Sequence, residues 1–385
     1  MVDQRPTPSV KYAHLNALDG FRACLALWVY LGHLAAAVGF KNYLLDLHPL
    51  AVDLFMVLSG FLMVHTWKQS GAEYRFFSKD TLAFYCARFF RIAPLYYFLL
   101  LVCYLWSPSL AQMHDFSLKV IPPVWAENIE GYAPNTSWNF EGFNWIWLHL
   151  TFLFGLVPGM ENSTPLPDWS LSLEMQFYLV LPVLLICLKK VPLIAVAIAC
   201  AALALTAPKL FGNYLDAGLI THFGQPSFLP YRLNAFMAGM ILAFLLKSDY
   251  KFISLTLNNL LIFLSALLCV FPLSKIVIII YLFFTLLVFN KIPFASKVLS
   301  IYPMKFLGNI SYSIYLSHIL IVIPASYFLI SNEQFTSLLS GTRFLISLFI
   351  TAPLVFIISY LMFVVIEKPS INIGRFISKN FILNK

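Results

Sequence analysis

Charged side chains are scarce in this chain. They make up 11% of it, where a soluble globular domain carries about 25%. That shortage excludes an ordinary water-soluble domain. Cysteine is sparse as well, and the six present (Cys24, Cys86, Cys103, Cys187, Cys200 and Cys269) are far apart, mostly inside apolar runs. No spacing suits a disulfide frame or a metal site, so free buried thiols and no metal are expected. There is no glycine-rich phosphate loop, heptad array or low-complexity segment. Basic residues exceed acidic ones, 25 to 17, for a net charge of +8. They are scattered between apolar segments, which argues against a nucleic-acid partner and for anchors at an inner membrane surface.

What is abundant is apolar sequence. Of the 385 residues, 60% are hydrophobic and the mean hydropathy is +0.81. The expected fold is an all-α polytopic membrane protein with membrane lipid around it. Ten spans are read at roughly 21–40, 49–67, 93–107, 171–188, 191–207, 232–246, 253–272, 274–290, 310–330 and 343–366. The polar, proline-containing residues 1–20 lead directly into two apolar helices, which reads as an uncleaved signal anchor. The run 143–157 is short for a span and is followed by Pro158, so it suits a re-entrant segment. Charge decides between the two topologies. With ten spans and both termini cytoplasmic, 19 of the 25 lysines and arginines fall inside and 6 outside. If 143–157 also crossed, the split would be nearly even, against the positive-inside rule. The chain is therefore expected to be a single membrane domain over 1–385. It has a cytoplasmic segment 1–20, a long outer and re-entrant loop 108–170, and a cytoplasmic tail 367–385. The bundle is expected to stand without a soluble domain of 100 or more residues and so to do any chemistry itself.

The outer loop has one basic residue, Lys119, with Asp115, Glu127, Glu130, Glu141 and Asp168 and five tryptophans: Trp125, Trp138, Trp145, Trp147 and Trp169. These indoles read either as an interfacial belt or as platforms for sugar rings.

Polar residues inside the spans are the functional candidates, because burying them in lipid is costly. Arg22 and His33 lie eleven positions apart on the first helix. They share one face to within about 20° and are about 16 Å apart along the axis. The arginine marks the inner mouth and the histidine lies near mid-membrane. The alternative is a satisfied core histidine with a snorkelling arginine. Asp53 and Glu174 both lie near the outer ends of their spans and could join His33 in one cavity. Each could equally favour a helix dipole. Arg88 and Arg91 share a face just before the third span, as surface anchors or as a clamp for a phosphate-bearing ligand. His318, near mid-depth in its span, is read as bonding within the bundle or lining the cavity. Arg232 and Glu367 lie at span ends and are read as structural; His149 stays undecided. These features cohere if a phosphate-bearing donor docks at the basic mouth and reaches up toward His33, with an acceptor arriving from the outer side.

The same residues carry a family resemblance. LDGFR followed by His33, AVDLFMVLSGFLM, RFFRIAPLYY, WSLSLEMQFYLVLP, LGNISYSIYLSHI and IEKP occur in the order found in the acyltransferase family 3. That family O-acylates envelope and exported glycans, and the resemblance spans essentially the whole chain. It implies that His33 is the catalytic histidine and that Arg22, Arg88 and Arg91 serve an acyl-CoA donor, acetyl-CoA foremost. It also implies ten spans with a re-entrant outer loop. Ser59, Trp169, Tyr315 and His318 stand in its motifs as candidate substrate-binding or cavity-lining residues. Alanine at position 51 and Met56 depart from the usual glycine and phenylalanine.

The resulting expectation is transfer of an acyl group, acetyl first, to a hydroxyl of a polysaccharide or glycolipid at a bacterial inner membrane. His33 serves as general base, oriented by Asp53 or Glu174, with an acyl-histidine as the variant. The alternative is a transporter or flippase of lipid-linked sugars. That class often shows related halves with interrupted helices, and no such repeat is visible here. The acceptor, the acyl chain length and the oligomeric state are not specified by the sequence.

Overall fold

A computed structural model describes residues 16–70, 78–122, 136, 138, 143–212, 223–247, 257–271 and 273–383. The N-terminal residues 1–15, together with Trp125, Glu127, Glu130 and Glu141 of the outer loop, lie outside the described residues. Among the described residues the chain is helical with no strand.

Three long helices open the described chain. α1 (Ala17–Ala37) carries Asp19 in its first turn, where the helix dipole favours a carboxylate. A single turn, α2 (Tyr43–Asp46), is capped by Asn42, whose side chain accepts from the backbone N–H groups of Leu44 and Leu45 at 3.1 and 3.2 Å. α3 (Pro49–Ser70) returns across the bundle. α4 (Lys79–Val120) starts at Ser78, whose hydroxyl accepts from the Thr81 N–H. It runs 42 residues through Pro94 and Pro108, about 63 Å at 1.5 Å per residue and roughly twice the hydrocarbon thickness. Residues 108–120 are thus helix, although the sequence places the start of the outer loop there. Leu110, Ala111, Gln112 and Met113 are good helix formers, and one internal proline removes only one backbone hydrogen bond.

The next described segment is short and irregular. α5 (Phe143–Leu150) has eight residues and gives way to 3₁₀ turns at Leu153–Leu156 and Met160–Asn162. α6 (Trp169–Lys190), α7 (Leu193–Phe211), α8 (Leu233–Lys247), α9 (Leu257–Val270) and α10 (Lys275–Val288) follow. α11 (Pro293–Leu299) and α12 (Tyr302–Asn309) are short. α13 (Ser311–Ser317) and α14 (Ile319–Ile330) meet at a 47° bend, and His318 is the residue at the bend. α15 (Glu333–Thr336) is a single turn before α16 (Ser340–Met362). A π-helical turn over Phe363–Glu367 then joins α16 to α17 (Lys368–Ile377).

Six of these helices are long and apolar enough to cross a membrane, or up to eight if each bent pair counts as one span. The chain is a multi-pass helical membrane protein. α8 is apolar but shorter, and the residues just before α9 lie outside the description, so both fall below the length of a full span.

Close helix approach organises the core. A Cβ on Gly60 of α3 would lie 2.1 Å from the Phe236 carbonyl oxygen of α8. One on Gly239 would lie 1.8 Å from the Val57 carbonyl oxygen. Hydrophobicity gives no preference for protein over lipid, so backbone-to-backbone contact at small residues replaces it as the packing force. Phe177 of α6 stacks on Phe236 at 4.0 Å between ring centroids. This places α3, α6 and α8 around one wall of the cavity described next.

Candidate active site

The bundle holds a cavity of about 300 Å³, at the small end of small-ligand sites. α1 contributes Arg22, α3 contributes Ser59, and α4 contributes Arg88 and Arg91. Glu174 and Tyr178 come from α6, and Tyr315 from α13. The i, i+3 spacing of Arg88 and Arg91 delivers both guanidinium groups to it. Glu174 sits among these cations and accepts hydrogen bonds from Ser59 Oγ at 3.0 Å and from the Tyr178 hydroxyl. Arg88 Nε is buried with no protein partner. A second, wider cavity of about 630 Å³ opens beside it, lined by Arg22 and Arg91 again with Lys368 and Arg375. Arg22 and Arg91 therefore stand at the passage between a basic vestibule and the inner cavity. Asp19, 3.5 Å from Arg22, and Glu367 temper the vestibule's charge.

At the far end the wall is formed by Val52, Phe55, Ser170 and Tyr315. The Tyr315 hydroxyl bonds Ser170 Oγ at 2.8 Å and donates to the Pro167 carbonyl at 3.1 Å. Behind Tyr315, with 6.4 Å between ring centroids, lies His318. His318 Nε2 is 2.8 Å from His33 Nδ1, and the planes of the two rings differ by 17°. A third histidine, His48, sets its ring edge-on to His33 at 4.6 Å. It occupies the slot left by Gly32, where a Cβ would come within 2.3 Å of the imidazole. His48 Nδ1 bonds the Leu45 carbonyl at 2.8 Å, and burial pushes its pKa below the usual histidine value.

The sequence-derived candidates thus divide. Arg22, Arg88, Arg91, Glu174, Ser59 and Tyr315 converge on the cavity. His33 and His318 pair behind Tyr315, outside the cavity's lining. Asp53 points elsewhere, accepting from Arg232 Nε at 2.5 Å. Neither Asp53 nor Glu174 bonds His33; the orienting contact observed is His318. Trp169 opens α6 half-buried against the core. Glu367 is buried and accepts from Ser313 Oγ at 2.8 Å.

Residues 15–364 match the profile of the acyltransferase family 3, an acyltransferase domain. The chain belongs to that family. Curated relatives of this acyltransferase include a regulator of hypoxia-inducible factor 1 from Caenorhabditis elegans, 29% identical over 46% of the chain and 35% of the relative. Another is the peptidoglycan O-acetyltransferase OatA of Listeria monocytogenes, 26% identical over 45% of the chain and 24% of the relative. The chain spans about a third and a quarter of the lengths of these two proteins. No solved structure matches the acyltransferase.

Three features of the site gave little or no sequence signal. His48 is known only as a histidine just ahead of a span. The Asp53–Arg232 pair joins residues 179 positions apart. His149, undecided from sequence, is buried in the outer loop: Tyr96 OH lies 2.6 Å from its Nδ1 and Ser163 Oγ 2.9 Å from its Nε2. Asp168 completes that network, accepting from Tyr96 and Thr164. It ties α4 to the loop.

Proposed function

We propose that this membrane acyltransferase moves an acetyl group from cytoplasmic acetyl-CoA to a hydroxyl of an envelope polysaccharide or glycolipid. His33 is the general base. The observation that carries the reading is one helix, α1, with Arg22 at the basic vestibule and His33 beyond the opposite end of the cavity. Guanidinium groups suit the phosphates of an acyl-CoA, and the apolar bundle around the cavity keeps water from the thioester. His33 Nε2 takes the proton of the acceptor hydroxyl as the oxygen bonds the thioester carbonyl carbon. Collapse breaks the carbon–sulfur bond, and the imidazolium returns its proton to the leaving thiolate. Glu174 balances the arginine charge and holds Ser59 and Tyr178 in place. Asp53 acts indirectly, fixing α3 through Arg232. No metal enters this scheme.

Ten spans, a re-entrant outer segment around α5 and cytoplasmic termini in a bacterial inner membrane complete the proposal. They rest on the 19-to-6 distribution of lysine and arginine. The test is mass spectrometry of host surface glycans with the wild-type protein, without it, and with a correctly inserted His33→Ala variant. Loss of one acetyl mass per modified sugar in both latter strains supports the reading. Glycans unchanged in chemistry but less abundant outside would replace it with glycan export.

A further inference from the structure

We infer that His318 is a positioning residue that locks His33 in the neutral tautomer whose Nε2 lone pair is free to act as base. The inference rests on the reading of His33 as the base, and it replaces a carboxylate by a backbone carbonyl as the origin of that base's orientation.

Three groups in line fix where the hydrogen atoms sit. His318 is fully buried, at 0% exposure, and each ring nitrogen has one partner. Nδ1 lies 3.0 Å from the Ile314 carbonyl oxygen, one helical turn earlier. A carbonyl only accepts, so Nδ1 of His318 carries the hydrogen. A cationic ring there would be a buried charge with no carboxylate beside it among the described residues, which is costly. His318 is therefore neutral, with its lone pair on Nε2. That lone pair faces His33 Nδ1 at 2.8 Å, so His33 Nδ1 must donate. A neutral imidazole has one N–H, which leaves the His33 lone pair on Nε2. His33 Nε2 makes no hydrogen bond among the described residues.

The fold supplies both ends of this relay. The 47° bend between α13 and α14 falls at His318. Yet the His318 backbone N–H still reaches the Ile314 carbonyl at 3.1 Å, so one oxygen receives main chain and side chain together. The two imidazoles are nearly coplanar, 17° apart, so the His318 Nε2 lone pair lies close to the plane of the His33 ring. When His33 Nε2 takes a proton, its Nδ1–H bond to His318 becomes charge-assisted, which stabilises the imidazolium in the absence of an acidic partner.

The test uses full-length protein in lipid nanodiscs with ¹⁵N-labelled histidine rings, His33 and His318 being assigned from His33→Gln and His318→Gln. The expected wild-type spectrum has His33 protonated on Nδ1 and bare on Nε2. His318→Leu should erase that bias and lower kcat roughly 10²-fold while leaving KM for acetyl-CoA unchanged. His318→Gln, whose amide oxygen can accept from His33 Nδ1, should recover most of the turnover. A wild-type His33 protonated on Nε2, or a His318→Leu enzyme with normal tautomer and turnover, would overturn the inference. The wild-type spectrum alone decides if His318→Leu fails to fold. Transfer that survives in His33→Gln would instead overturn the base reading, whatever the tautomer.

Discussion

Arg232 Nε donates to Asp53 Oδ1 at 2.5 Å, and the pair fastens the start of α8 to the N-terminal end of α3. Neither side chain is well solvated, so breaking the pair from one side strands a buried charge. Arg232→Ala is expected to cost about 3–5 kcal/mol, read as a lower thermal midpoint in detergent. Adding Asp53→Asn should restore much of the loss, because the stranded carboxylate is then gone. Strictly additive losses in the double variant would show that the two residues do not act as a pair.

The α3–α8 crossing leaves no room for a side chain at Gly60 or Gly239. Alanine at either position is expected to destabilise by about 1–3 kcal/mol through overpacking against backbone. Gly341, at the start of α16, has only a Phe40 ring carbon 3.8 Å away, and Gly341→Ala should be neutral or mildly stabilising. Equal thermal midpoints for all three variants would contradict the tight crossing.

Arg91 lines both the vestibule and the inner cavity. Arg91→Gln is expected to raise KM for acetyl-CoA roughly 10–100-fold, the worth of a charge-assisted hydrogen bond. With acetyl-pantetheine, which lacks the nucleotide phosphates, the same variant should match the wild type. An equal loss with both donors would move Arg91 away from the phosphates.

Burial raises the Asp168 carboxyl from 3.8 to about 7. The folded chain therefore holds this proton more tightly than the unfolded one. The associated stability is fully present below about pH 4 and is lost as pH rises through about 7. Asp168→Asn should flatten the fall in thermal midpoint over that window. A slope identical to wild type would assign the pH dependence to other groups.

Much of the site is legible in the sequence because helices convert spacing into geometry. Arg22 with His33, and Arg88 with Arg91, lie on shared faces by arithmetic alone, and the structure places all three arginines at one cavity. Partner choice across the bundle is not legible in that way. His33 meets His318 across 285 positions, and nothing in either segment states which polar group it will face. Asp53 and Glu174 are expected beside His33 but bond Arg232, Ser59 and Tyr178, and Glu174 lies among the arginines, since rotation of a helix about its axis is set by packing. The continuation of α4 past Pro108 was hidden for a local reason: proline marks loops more often than it occurs within long helices. The slot at Gly32 that admits His48 depends on where α2 returns, a tertiary fact.

The most direct test of the central claim is acyl transfer by purified protein in lipid vesicles. It compares the wild type with a folded His33→Gln variant, following thiol release from acetyl-CoA together with ester formation on the isolated host glycan. Coupled release and ester formation in the wild type, reduced roughly 10²–10⁴-fold in the variant, is the expected result. Ester formation at the wild-type rate without an imidazole at position 33 would contradict the claim.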